Sequence, residues 1–156
     1  MADIAKLQGS AIGDLAKALG VSVSGLASIM GLTIPTGGGG FQGSNYGYTS
    51  GGMSSNVIDK FSFSTDGNAT DVGDLTVARY GSAGQSSTVS GYTSGGQPFD
   101  VIDKFSFATD GNATDVGDLT AARQGSAGQS STVSGYASGG SNTNVIDKFS
   151  FATDGN

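Results

Sequence analysis

Apolar and polar residues alternate through Val57-Ile-Asp-Lys-Phe-Ser-Phe63, so that Val57, Asp59, Phe61 and Phe63 share one face and Ile58, Lys60 and Ser62 the other. A two-residue period of this kind predicts a half-buried β-strand. The same run returns at Val101–Phe107 and Val145–Phe151. Ahead of it, Tyr48-Thr-Ser-Gly-Gly52 reads as a shorter strand ended by a double glycine, and a four-residue loop separates the two. Behind it, Asp66-Gly67-Asn68 carries hairpin-turn chemistry, and Thr70–Thr76 reads as a third strand broken at Gly73. Ala78-Arg79 leads to Gly81-Ser-Ala-Gly84, after which Ser87-Thr-Val-Ser90 enters the next tyrosine, giving about four short strands per unit.

This pattern is one copy of a 44-residue repeat: Gly47–Ser90, Gly91–Ser134 and the first half of a third copy, Gly135–Asn156. The two full copies differ at seven positions, four of them consecutive: Met53, Ser54, Ser55 and Asn56 against Gln97, Pro98, Phe99 and Asp100. The third copy carries Ser141, Asn142, Thr143 and Asn144 there. A period of about 20–50 residues marks units that bury their apolar faces against their neighbours, so stacking is required for stability.

A second, shorter period of 11 occupies the first part of the chain. Asp3-Ile-Ala-Lys-Leu-Gln-Gly9, Asp14-Leu-Ala-Lys-Ala-Leu-Gly20 and Gly25-Leu-Ala-Ser-Ile-Met-Gly31 echo one another. Among its apolar residues, Ile4, Leu7, Ile12, Leu15, Leu19, Val23, Leu26, Met30 and Ile34 are the candidate anchoring positions. A continuous right-handed supercoiled helix conflicts with a glycine in every period. A membrane span or signal peptide over Ala18–Ile34 conflicts with its shortness, its Gly/Ser content and the lack of a basic start, so no membrane span is expected. Short helical turns ended by glycine, alternating with short extended pieces, fit every glycine. So small an array is expected to dock on a partner or to oligomerise. Lys6 and Lys17 recur within it and read as a solvated charged edge. Pro35 stops the array and Gly37–Gly40 follow, so the expected organisation is an anchoring array at 1–36, a flexible linker at 37–46 and repeats at 47–156.

Composition narrows the chemistry. The 28 glycines with abundant Ser and Thr suit flexible linkers, but eight Phe and five Tyr at fixed spacing argue for ordered β structure. All 13 acids are Asp, and the net charge of −6 is spread along the repeats, which argues against nucleic acid as a partner. With no Cys and no His, disulfides, most transition-metal sites and most nucleophile–base pairs are excluded.

Three groups of residues are candidates for a role. The four-residue loops after each double glycine are where a repeated scaffold would display a recognition surface, although exposed loop tips also tolerate change. Asp66, Asn68, Asp71 and Asp74 bring together oxygen ligands of the kind Ca²⁺ prefers, but they lack the spacing of a calcium loop; a hydrogen-bonded Asx turn explains them, and no metal or cofactor is expected. Asp59 lies on the aromatic face and Arg79 recurs once per unit, so Asp59 with Arg79, and Asp103 with Arg123, read as structural pairs satisfying a buried carboxylate. No catalytic residue is assigned.

The succession of strand, Gly-Gly, loop, alternating strand, turn, strand, Ala-Arg and small-residue strand resembles the kelch repeat. Gly51-Gly52, Gly95-Gly96 and Gly139-Gly140 fall in its double-glycine slot, Arg79 and Arg123 in its arginine slot, and Val72 and Val116 near the place of its tryptophan. The expected fold is therefore mainly β, with kelch-like β-propeller blades after a small array of 11-residue helix-turn/strand repeats. Two and a half units do not close a ring of about four to eight blades, so the chain is expected to be a portion of a longer polypeptide, or else several chains complete the structure. The phrases NVIDKFSF and TDGNATDVGDLT resemble repeats in virion proteins of marine tailed phages, T4-like cyanophages especially, and the IAKLQG-type 11-mers resemble amino-terminal repeats of phage structural proteins. That resemblance implies a non-enzymatic virion appendage of tail-fibre type on the virion exterior. It would be anchored to other virion proteins through its N-terminus, homo-oligomeric (a trimer is one form), and in contact with a host-surface receptor such as a glycan. The alternatives are a head or neck decoration and a secreted carbohydrate-acting propeller.

Overall fold

The computed structural model describes residues 45–155 except Ser54. The 11-residue array, with its apolar set from Ile4 to Ile34, and linker residues 37–44 lie outside the described residues.

Among the described residues the protein is all-β: ten strands form three antiparallel sheets. The first holds β1 (Tyr46–Gly52), β2 (Ser55–Ser62) and β3 (Thr70–Asp74). The second is a four-stranded meander of β4 (Ala83–Ser86), β5 (Ser90–Ser94), β6 (Val101–Ser106) and β7 (Thr114–Asp118). The third holds β8 (Ala127–Ser130), β9 (Ser134–Ser138) and β10 (Ile146–Ser150). No closed ring is formed among the described residues.

Three local expectations need correction. The β2–β3 connection is not a tight hairpin at Asp66-Gly67-Asn68; it spans 63–69, started by Ser62 Oγ accepting the backbone N–H groups of Ser64 and Thr65. Ser87-Thr-Val is a turn, not a strand, because Ser87 Oγ accepts from the N–H groups of Val89 and Ser90 and competes with ladder bonding. The small-residue strand lies just before it, at β4, and joins the sheet of the following repeat. Each sheet is thus offset from the sequence repeat.

The sheets stack face to face. Call the Ile/Lys/Tyr face of each sheet its front and the Asp/Phe face its back. Ile58 and Leu75 on the front of the first sheet pack with Phe105 and Ala113 of the second, flanked by Tyr48, Val72 and Phe107. One repeat later, Tyr92, Ile102 and Leu119 pack with Ala137 and Phe149, flanked by Val116 and Phe151. Ring geometry repeats too: Tyr48 stacks on Phe107 at 5.1 Å, and Tyr92 on Phe151 at 4.9 Å. The middle strand β6 is therefore covered on both faces, with Ile102 and Asp103 buried, where its alternation alone predicts half-burial. Glycine precedes each of Tyr48, Tyr92 and Tyr136 because the cross-strand phenylalanine ring lies over it; a Cβ at Gly91 would fall within the Phe105 ring.

Candidate functional site

The double glycine sets up each variable loop. Gly95 and Gly96 have φ of 63° and 104°, a conformation that side chains resist, and the Gly96 N–H donates to the Arg123 carbonyl at 2.9 Å. Gly52 makes the same bond to the Arg79 carbonyl. Further backbone bonds hold the loops to their own unit: Leu75 N–H to the Asn56 carbonyl, Leu119 N–H to that of Asp100.

The loops are also tied to the preceding unit. Gln97 N–H donates to the Tyr80 carbonyl at 2.9 Å, and Ser141 N–H to the Gln124 carbonyl at 3.1 Å. Gly125 N–H donates to the Gly81 carbonyl, which joins the two tethering segments. Variable loops of successive units thus lie on one end of the stack. Met53 is 93% exposed; Gln97, Pro98, Ser141, Asn142 and Asn144 are exposed; Phe99, Asp100 and Thr143 are half-buried. Ser55 and Asn56 begin β2 and are half-buried, and Ser54 lies outside the described residues. Tyr80 and Gln124, both exposed, belong beside these loops and were missed. Their signal was present, since they differ between the repeats like the loops themselves.

The buried ion pairs cross from one repeat to the next instead of closing within a unit. Arg79 Nη2 meets Asp103 Oδ2 at 2.9 Å, and Arg123 Nη2 meets Asp147 Oδ2 at 2.5 Å, with all four side chains buried. The expected same-unit partners are not paired: Asp59 is half-buried and makes no ion pair among the described residues, and Asp103 takes Arg79 rather than Arg123. The reason lies in facing. Asp is on the back of its sheet and Arg follows the third strand toward the front, so the two meet only across an inter-sheet interface. A threonine completes each Asp cradle: Thr76 donates to Asp103 from its N–H at 3.0 Å and its hydroxyl at 2.7 Å, and Thr120 does the same for Asp147. The Arg79 Nη2 group also donates to the Thr93 carbonyl. Its Nε and Nη1 find no acceptor, and burial lowers the Arg79 pKa against the opposing pull of Asp103. All four side chains are enclosed between sheets, and each carboxylate is held by an arginine and a threonine.

A second pair per interface lies nearer solvent, Lys60 with Asp110 at 2.6 Å and Lys104 with Asp154 at 2.8 Å. Tyr92 donates its hydroxyl to Asp154 at 3.2 Å; burial first, and the Asp154 charge second, push its pKa well up. The Asp71 carboxylate accepts from Gly73 N–H in an Asx turn, and no group of three metal-binding side chains exists among the described residues. No helix among them is long and apolar enough to cross a membrane. At the end of the stack opposite the variable loops, Tyr46, Tyr48, Val89 and Phe107 line a depression of about 300 Å³. Compared with protein-family models and with curated proteins, the chain matches none.

Proposed function

We propose that this chain is a non-enzymatic structural protein of a tailed-phage particle, a tail-fibre-type appendage on the virion exterior. Residues 1–36 attach it, and each 44-residue unit serves as a kelch-like propeller blade that carries loops toward a host-surface receptor. The observation that carries this reading is the pairing of a near-invariant frame with a concentrated difference. Four consecutive positions vary between repeats, and those among the described residues lie together at one end of the stack on backbone held by hydrogen bonds. Binding residues favour loops on rigid scaffolds. Support for the blade comes from the four-stranded meander β4–β7 and from β4 lying beside β8 and β9, where Gln85 Nε2 donates to the Tyr136 carbonyl of β9 and Ser86 N–H to Ser130 Oγ of β8.

Replacing 53–56, 97–100 and 141–144 with the loops of a related fibre is expected to transfer adsorption to that fibre's host, measured as phage bound per cell. Unchanged adsorption overturns the receptor role. Electron density for the chain on capsomers rather than the tail would reassign it as a head decoration, and release of sugar from glycans by the purified chain would reassign it as an enzyme.

A further inference from the structure

Two sheet faces that are covered everywhere else in the stack are open on its first and last sheets. On the front of the third sheet, Ile146 is 66% exposed, whereas Ile58 and Ile102 at the same repeat position are 1% and 0% exposed. Tyr136 is half-buried and Lys148 exposed beside it. On the back of the first sheet, Phe63 is 56% exposed, and it forms an edge-to-face pair with half-buried Phe61. Asp66 is exposed nearby.

These faces carry three of the pairings of a contact the chain already makes twice. In both internal interfaces a front isoleucine packs in one cluster with a back phenylalanine, Ile58 with Phe105 and Ile102 with Phe149. A front tyrosine stacks on the second phenylalanine, Tyr48 on Phe107 and Tyr92 on Phe151. A front lysine pairs with a back aspartate, Lys60 with Asp110 and Lys104 with Asp154. Carried forward one step, the same contact sets Ile146 against Phe61, Tyr136 against Phe63 and Lys148 against Asp66. Each of these three pairings matches because its residues repeat those of the internal contacts; the third copy, a first half, carries no counterpart of Leu119, Thr120 or Arg123, so the buried ion pair is not part of this contact.

We infer that a second copy of this chain stacks head to tail on the first, the back of its first sheet covering the front of the third sheet of its neighbour. The interface is heterologous, so it propagates into an open chain or closes into a ring. This inference rests on the sheet stack alone and holds whether or not the protein belongs to a virion.

The test is sedimentation velocity on the full chain across a concentration series, with two charge reversals. Lys148→Asp brings two carboxylates together at the contact, and Asp66→Lys brings two ammonium groups together there. Each variant alone is therefore expected to associate about tenfold more weakly than the unaltered chain. Mixed in equal amounts, they alternate: the reversed front meets the reversed back, and the unaltered front meets the unaltered back. Association is then expected to return to the original level. Circular dichroism confirms that both variants keep the β fold. A chain that stays monomeric to about 1 mM overturns the inference. So does association that ignores both reversals, or a mixture that shows no recovery.

Discussion

Asp103 and Asp59 occupy the same repeat position and differ only in what faces them. Asp103 is fully buried and accepts from Arg79 and from both donors of Thr76, whereas Asp59 is half-buried and makes no ion pair among the described residues. Removing one partner of a buried pair strands the other charge, at a cost of about 3–5 kcal/mol. Asp103→Ala is therefore expected to lose about that much stability in urea titration, and Asp59→Ala no more than about 0.5–1 kcal/mol. Equal losses would mean that Asp59 also sits in a closed cradle. Tyr92 makes a pH prediction at the same scale. Its folded pKa is raised, so the phenol stabilises the fold fully below the unfolded value of 10.0, and that contribution is lost as pH climbs above it. The melting temperature of the unaltered protein is expected to fall more between pH 8 and about 11 than that of Tyr92→Phe, which has no phenol to ionise there. Tyr48, whose pKa is also raised by burial, leaves a residual slope in the variant.

At the scale of the strand, the alternation Val-Ile-Asp-Lys-Phe-Ser-Phe is identical in β2, β6 and β10, yet the three strands have different surroundings. In β6 both faces are covered; in β2 and β10 one is open. Truncating a fully buried isoleucine loses its transfer energy and leaves a cavity, about 2–5 kcal/mol. Ile102→Ala should cost that much by chemical denaturation, and Ile146→Ala about 0.5 kcal/mol or less at concentrations where the chain is monomeric. The chemical signature of each strand was legible: its period, its two faces and the glycine pair that ends the strand before it. The fourth strand was not. Ala83-Gly-Gln-Ser86 has no apolar alternation to announce it, and Ser87, two positions before Val89, looks strand-like until its hydroxyl is seen holding the turn.

Over the whole stack, stability is distributed as in other repeat proteins, through each unit and the contact to the next. All five residues of β5 in the central sheet are buried, while the outer sheets each present a face to solvent. The ion pairs sharpen this dependence. Because Arg79 reaches Asp103 and Arg123 reaches Asp147, the buried charges of one repeat are neutralised only when its neighbour is in place. A repeat folded alone would hold an unpaired guanidinium and an unpaired carboxylate, so the pairs couple adjacent sheets and make head-to-tail order obligatory. The variable loops follow from the same order: tethered to the preceding unit through Tyr80 and Gln124, they gather at one end of the stack.

By itself the sequence determined that this region is built of short strands, that the Val-Ile-Asp-Lys-Phe-Ser-Phe strand of each unit has one Ile/Lys face and one Asp/Phe face, and that variation concentrates after the double glycines. These are local properties, set by the two-residue period and by backbone conformations that only glycine adopts freely. Which sheet receives β4, which aspartate meets which arginine and which of three identical strands is buried on both sides were decided by tertiary structure alone. A repeat has the same residues in every copy, so its sequence cannot distinguish a partner within the unit from the equivalent partner in the next. Only the direction in which each face points makes that choice.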